Sequence, residues 1–358
     1  MRDRRNPTSF DREAATLGPS PAPAARGVLS RLALAVAIAA LAGTAAATEP
    51  LTLRLGSDEW PPFTGGTGTE RAALDLVHGA LDRAGVAAET TISDWKAVET
   101  AIRRGELDGS AAIWRSERRE KDLLFSEPYL ENRLVLIGRS GSDVSARRLT
   151  DLAGKRVAVV GNYAYGESID QAVGVLFVGT HNDQDSLDRL LAGDVEYMLI
   201  DELVVRHLLD FQPEEVERHL EVGLNPLARR TLHFAIRRDV PGAEAIVAAF
   251  NAEIRKMLGD GSYAEILQVG WIRVDVDGDG LYELVPFGEH VGDTPPGRVY
   301  DVFGELPEET PTDKHRVVIQ GNIYEGWDAI PEQYKMRGPA GVMDTTFKQG
   351  TTLMTLKF

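Results

Sequence analysis

Short apolar runs alternate with helical patterns from Leu51 to about residue 258, and no other feature of the 358-residue chain constrains its fold as much. LTLRLG (51–56) reads as a strand. Residues 70–85 read as a helix, with Ala73, Leu76, Val77, Ala80 and Leu81 on one face and Gly85 as its stop. AAETTIS (87–93) predicts a strand, 95–105 a helix ending at Gly105, and LDGSAAIW (107–114) and RLVLIGR (133–139) further strands. KRVAVVG (155–161) predicts a strand, followed by a helix across 167–175. LFVG (176–179) and VEYMLID (195–201) are strands on either side of a helix at 185–192, and 202–210 and 243–258 are helical. Strand–helix alternation implies an α/β fold, with parallel sheet covered by helices. The stretches 51–137 and 138–230 share this grammar without sharing sequence, so two lobes are expected.

Open parallel sheets hold ligands beyond the carboxyl ends of their strands. That rule selects Asp58, Trp60 and Phe63 after 51–56, and Trp114, Arg115, Ser116, Arg118 and Arg119 after 107–114. It also selects the loop GNYAYGES (161–168), with Tyr163, Tyr165 and Ser168, and Asp201 after 195–200. Aromatic rings can flank a side chain, arginine can grip a carboxylate at two points, and a carboxylate can hold an ammonium. Together these suit a zwitterion. Ser116 looks like an N-cap, which puts both arginines in a first helical turn where the helix dipole disfavours cations, so a bound anion would compensate. Asp201 can equally serve as N-cap of the helix that follows it.

These residues also carry a resemblance. SERREKDLLFSEPY (116–129) is similar to the segment ending in Phe-Ser-x-Pro-Tyr of the bacterial extracellular solute-binding proteins, family 3. WPPFT (60–64) resembles that family's opening loop, LAGDVEYMLID (191–201) its second-lobe strand, and DGSYAEIL (260–267) its closing helix, in the family's order over 51–271. The resemblance implies two α/β lobes joined by two crossing segments, near Leu134–Arg139 and Leu227–Ile236, with lobe 1 made of 51–137 and 232–271 and lobe 2 of 138–231. It implies that Arg119, not Arg118, grips a ligand carboxylate, that Ser116 supplies a hydroxyl, that Trp60 and Trp95 form the aromatic wall, and that Asp201 holds an amino group. The loop GNYAYGES is longer than the family's usual Gly-Thr-type loop, which bears on the ligand's side chain.

The implied function is capture of a small zwitterionic or anionic solute, an amino acid foremost, for an inner-membrane ABC permease or a sensor. The alternative is a periplasmic enzyme of the same fold, a dehydratase acting on prephenate-like substrates, with Glu167 or Asp201 as its acid or base. A formal charge of −16 argues against a nucleic-acid partner. Arg26 and Arg31 flank the apolar run Leu32–Ala42, and Ala45, Ala46 and Ala47 follow. Residues 1–47 therefore read as an export signal with an extended polar leader, cleaved after Ala47, and the protein as periplasmic. With no cysteine, neither disulfides nor a lipobox anchor is expected.

After Gly270 the texture changes, and 272–358 read as a small, mostly β appendage rich in Pro, Gly and Asp, with RVVIQG (316–321) and TTLMTLKF (351–358) as apolar pieces. Within it, DVDGDGLYEL (275–284) sets Asp275, Asp277 and Asp279 at alternating positions before Gly280 and Glu283. Calcium takes six to eight oxygens from such carboxylates, and Leu281 can add its carbonyl. The pattern resembles the short Asp-x-Asp-Gly-Asp-Gly calcium loops of exported proteins, although its twelfth position is Pro286 rather than Glu. A structural calcium ion is the expectation.

Overall fold

The computed structural model describes residues 52–335 except 67–69, 162, 167–168, 170, 212–217, 224, 297–298 and 304–314. The export signal, Glu167, Ser168 and the segment 351–358 lie outside the described residues.

The chain opens with β1 (Thr52–Ser57), α1 (Ala72–Arg83), β2 (Ala87–Ile92), α2 (Trp95–Arg104) and β3 (Gly109–Trp114). The one-turn helix α3 (Glu117–Glu120), β4 (Leu123–Phe125) and the ten-residue β5 (Leu130–Arg139) follow. The second lobe holds β6 (Arg156–Val160), β7 (Leu176–Thr180), α4 (Asp183–Ala192), β8 (Tyr197–Asp201), α5 (Glu202–Phe211) and β9 (Leu220–Val222). A second ten-residue strand, β10 (Ala228–Arg237), returns to lobe 1, where α6 (Ala243–Asp260) and α7 (Ser262–Leu267) close it.

The helices form where the sequence supplies caps and a single apolar face. In α2, the Asp94 carboxylate accepts from the Lys96 and Ala97 amides, and Gly105 ends the helix in the left-handed conformation. In α1, Ala73, Leu74, Leu76, Val77, Ala80 and Leu81 are buried, and the helix packs on α6. The strands order as β2-β1-β3-β10-β5-β8-β6-β7. β1 pairs in parallel with β2 and β3, and β6 with β7 and β8, while β5 and β10 run antiparallel to each other. These two long strands are the crossing segments: β10 is bonded to the lobe 1 strands β3 and β4 at one end, β5 to the lobe 2 strands β8 and β9, and the two to each other between. Gly109 allows β3 to meet β10, since a Cβ there would lie 2.0 Å from the Ala235 carbonyl oxygen.

One expectation changes. The helix expected across 167–175 does not extend through 171–175, which are turns and coil. Gly166 and Gly174 take positive φ, and Val173 is 85% exposed, while Ile169, Ala172 and Val175 still pack on the core from this irregular stretch. Within the apolar piece RVVIQG the strand runs to Ile319, and Gln320 and Gly321, both at positive φ, turn the chain into a hairpin.

The appendage is a five-stranded sheet of order β13-β11-β12-β14-β15, built from β11 (Trp271–Val274), β12 (Glu283–Pro286), β13 (Tyr300–Asp301), β14 (Arg316–Ile319) and β15 (Asn322–Tyr324). It begins at Trp271, directly after α7. Ile272, Val274, Val285, Tyr300, Val302 and Val318 join the same core as the lobes, so the sheet is fused to the body rather than tethered to it. Among the described residues, no helix is long and apolar enough to cross a membrane.

Candidate functional site

The strand ends of both lobes meet at a cluster of aromatic rings. Lobe 1 contributes Trp60 beyond β1 and Trp114 at the end of β3; lobe 2 contributes Tyr163 and Tyr165 beyond β6. Their ring centroids lie close: Trp60–Tyr163 5.7 Å, Trp60–Trp114 5.9 Å, Trp114–Tyr163 5.3 Å and Trp114–Tyr165 5.3 Å, all near edge-to-face. Phe63 is fully buried and backs Trp60 at 4.3 Å. At this cluster two hydrogen bonds tie lobe to lobe: Trp60 Nε1 donates to Asp183 Oδ2 at 3.1 Å, and the Tyr163 hydroxyl donates to Asp58 Oδ2 at 2.9 Å. Between the rings remains a cavity of about 20 Å³, lined by Asp58, Trp60, Trp95, Trp114, Arg119 and Tyr163 among others. It has room for one water-sized group.

The carboxylates here are unusual. Burial raises Asp58, partly offset by the Tyr163 hydrogen bond. Asp183 as a residue is half-buried, but its carboxylate faces inward under Trp60, and desolvation pushes it up to about 7. Burial and the neighbouring Asp58 also raise the Tyr163 phenol.

Arg119 is 7% exposed, whereas the Arg118 side chain is 64% exposed. The Arg119 guanidinium lies over the Trp95 ring at 5.0 Å. Its Nη1 donates to the Trp114 carbonyl at 2.8 Å, and its Nε and Nη2 both donate to Glu99 Oε1, at 3.1 and 3.0 Å. Arg118 Nη2 reaches the same Glu99 oxygen at 2.7 Å. The compensating anion expected beside this helical turn is thus present within the chain, on α2. Ser116 is the N-cap of α3, its hydroxyl accepting from the Arg119 amide at 3.4 Å.

Asp201 stands elsewhere. Its Oδ1 accepts from the Leu203 amide and its Oδ2 from the Arg133 amide, both at 2.8 Å, so it caps α5 and fastens β8 to β5. It does not line the cavity. Burial, and then the neighbouring Glu202, push its carboxyl up to about 8. With both oxygens held by backbone amides, it is poorly placed to act as an acid or base on a substrate.

The structure thus gathers Trp60, Trp95, Trp114, Arg119 and Tyr163 at one cavity, backed by Phe63 and Tyr165, and places Ser116 and Asp201 at helix caps. Sequence reasoning missed Asp183 and Glu99, and picked out Asp58 by its place after β1 without assigning it a partner on the ligand. Asp183 was within reach, since it follows strand β7 and opens α4 behind the N-cap Asn182. Glu99 was too, lying four residues after Trp95 and so on the same face of α2.

Residues 53–272 match the family model of bacterial extracellular solute-binding proteins, family 3, and the chain belongs to that family. It is 27% identical over 162 residues to the L-cystine-binding protein TcyJ of Escherichia coli K12, covering 45% of this chain and 58% of that one. It is 22% identical over 175 residues to the ABC transporter glutamine-binding protein GlnH of Bacillus subtilis 168, covering 49% and 61%. The matched stretch therefore spans about three-fifths of the length of these relatives, and both are named as binding proteins rather than enzymes. Among solved structures, an ancestral arginine-binding protein bound to arginine superposes with a TM-score of 0.51 at 24% identity, covering 60% of this chain and 96% of that one. The GluR0 ligand-binding core in complex with L-glutamate gives 0.52 at 21%, covering 62% and 98%. At these identities the likeness shows the two-lobed fold.

Proposed function

We propose that the chain is an exported, periplasmic receptor that captures a small amine-bearing solute, an amino acid or a close relative, between its lobes and presents it to an inner-membrane ABC permease or a sensor. The observation that carries this reading is the aromatic and carboxylate cavity at the meeting of the strand ends, bridged by Trp60–Asp183 and Tyr163–Asp58. Solute contacts shared by both lobes stabilise the closed arrangement and shift the population toward it. A thermal-shift screen of the mature protein against amino acids, amines, organic acids and prephenate tests it. An amine-bearing compound is expected to raise the melting temperature, and prephenate to be left unchanged. Turnover of prephenate, or no shift with any compound, would overturn the reading.

We further propose calcium as a structural ion of the appendage. One carboxylate oxygen from each of Asp275, Asp277 and Glu283 lies within 4.8 Å of the others. The Asp275 carboxylate accepts from the Gly278 and Gly280 amides at 2.7 and 2.9 Å, folding the loop around that point. This oxygen set suits a hard divalent cation, with Asp279 and the Leu281 carbonyl as further candidates. The Arg316 guanidinium, against Asp279 at 3.0 Å and in contact with Glu283, contributes positive charge to the same loop. Calcium is expected to stabilise the folded state by about 2.7 kcal/mol at a hundredfold excess over its dissociation constant, and so to raise the melting temperature. Asp277→Ala is expected to abolish that gain while leaving solute affinity in the cleft unchanged. Identical melting in calcium and in chelator would reject the ion.

A further inference from the structure

We infer that the appendage is a brace on the hinge: strand β13, fixed to lobe 1, grips the root of lobe 2 through Tyr300 and Asp301 and favours the closed arrangement of the lobes. The inference rests on the two-lobed fold and not on which solute is captured.

The first observation is where the grip falls. Leu134 is the residue at which β5 passes from one lobe to the other, pairing with Ala228 of β10 and with Asp201 of β8. Arg133 immediately precedes it, and its amide donates to Asp201 at 2.8 Å. Domain closure bends the backbone at a few residues of this kind. Here the side chain of the hinge residue is held from two bodies at once. Arg133 Nη1 donates to Glu202, the first residue of α5 in lobe 2, at 2.7 Å. Its Nη2 donates to the Asp301 carbonyl, and its guanidinium lies over the Tyr300 ring at 4.9 Å. A guanidinium on an aromatic face binds more strongly when both are out of water, as they are here.

The second observation is that the gripping strand cannot follow lobe 2. β13 pairs with β11, and Asp301 accepts two hydrogen bonds from Arg273 of β11, at 2.7 and 3.0 Å, in a buried ion pair. β11 comes directly after α7 of lobe 1, the Phe287 amide donates to the Gly270 carbonyl at 2.8 Å, and β12 and β14 pack on α6. The appendage therefore moves with lobe 1. When lobe 2 swings open, Arg133 and Glu202 must shift against a fixed Tyr300 and Asp301, and buried charged groups that lose partners are costly. Closure keeps those contacts, so the brace favours it.

The third is which part of Tyr300 does this. The side chain is buried, and among the described residues its hydroxyl has no hydrogen-bond partner. The ring alone meets Arg133. Tyr300 and Asp301 do not line the solute cavity, so they are positioning residues. By enlarging the closed fraction they raise apparent solute affinity in proportion.

The test measures the distance between the lobes without solute. The chain has no cysteine, so Ala97→Cys on α2 of lobe 1 and Ala192→Cys on α4 of lobe 2, both at exposed alanines, accept spin labels cleanly. Pulsed electron resonance then reads the distances in the mature protein. A dominant short-distance population is expected in this labelled parent and in Tyr300→Phe. Tyr300→Leu removes the aromatic face, and Arg133→Lys keeps the charge beside Glu202 but not the fork that also reaches Asp301. Both are expected to enlarge the long-distance, open population by about fivefold or more while still melting cooperatively. If Tyr300→Leu fails to fold, Arg133→Lys decides. Superimposable distances in the parent and these two variants would overturn the inference. So would a parent already dominated by the long distance, or opening in Tyr300→Phe as large as in Tyr300→Leu. Since no solute is present, each of these results leaves the receptor reading standing.

Discussion

Replacing Arg133 by methionine is expected to lower the unfolding free energy by about 3–5 kcal/mol, the cost of removing one partner from a buried ionic network. Arg133 lies on the crossing strand β5 with its side chain 8% exposed. Its Nη1 donates to Glu202 of lobe 2 at 2.7 Å and its Nε to Glu131 at 3.2 Å. Its Nη2 donates to the Asp301 carbonyl, and its guanidinium lies over the Tyr300 ring at 4.9 Å, both in the appendage. Glu131 in turn accepts from Arg229 on β10 at 2.6 Å, and Asp301 forms a two-point pair with Arg273 at 2.7 and 3.0 Å. The network therefore joins both crossing strands, lobe 2 and the appendage sheet at one point. Methionine keeps the apolar stem but leaves the Glu202 carboxylate and the Asp301 carbonyl short of a donor. Guanidinium unfolding of the two proteins checks this; coincident midpoints would mean the network adds nothing.

Acidification from pH 8 toward pH 5 is expected to stabilise the protein through Asp183 and Asp201. Both carboxyls stand well above the unfolded value of about 3.9, at about 7 and about 8 respectively. Between the unfolded and folded values the native state holds more protons, so stability rises as pH falls and is lost again as pH climbs through 7 and 8. Each unit of difference corresponds to roughly 1.4 kcal/mol, which makes the combined effect several kcal/mol. Burial holds His78 and His233 below their usual range, and they oppose the gain below about pH 6.5. The measurement is therefore differential: melting temperature against pH for wild type, Asp183→Asn and Asp201→Asn. Each variant is expected to flatten the curve between pH 5 and 8, and superimposable curves would contradict the assignment.

Much of this was legible in the chain itself. Alternating strands and helices predicted β1, α1, β2, α2, β3, β5, β6, β7, α4, β8, α5 and α6 to within a few residues, while the short strands β4 and β9 left no such signal and the helix expected across 167–175 did not extend through 171–175. The strand-end rule picked out Trp60, Trp114 and Tyr163, which meet in the structure. The register of the Phe-Ser-x-Pro-Tyr segment separated Arg119 from Arg118, and the structure buries the first and exposes the second. Other contacts leave no local signal. Arg133 and Asp301 are 168 positions apart, and the strand Tyr300–Asp301 lies in a Gly- and Pro-rich stretch without periodicity. The Asp201 side chain has two possible uses after an apolar strand, and the amides of Leu203 and Arg133 show that it serves as a cap and a strand tie here. Asp183 was passed over because the helix was expected to open at 185, two residues beyond its start.

The central claim is that a small solute binds where the two lobes meet. The most direct measurement is calorimetric titration of wild type and Trp60→Ala, side by side, with the compound that most raises the melting temperature. Trp60 touches Phe63, Trp114 and Tyr163 and carries the hydrogen bond to Asp183, so it belongs to both walls of the cavity. One solute per chain is expected for wild type, with at least a tenfold loss in a Trp60→Ala protein that still melts cooperatively. Equal affinity in the two proteins would place the solute outside this cleft and contradict the account.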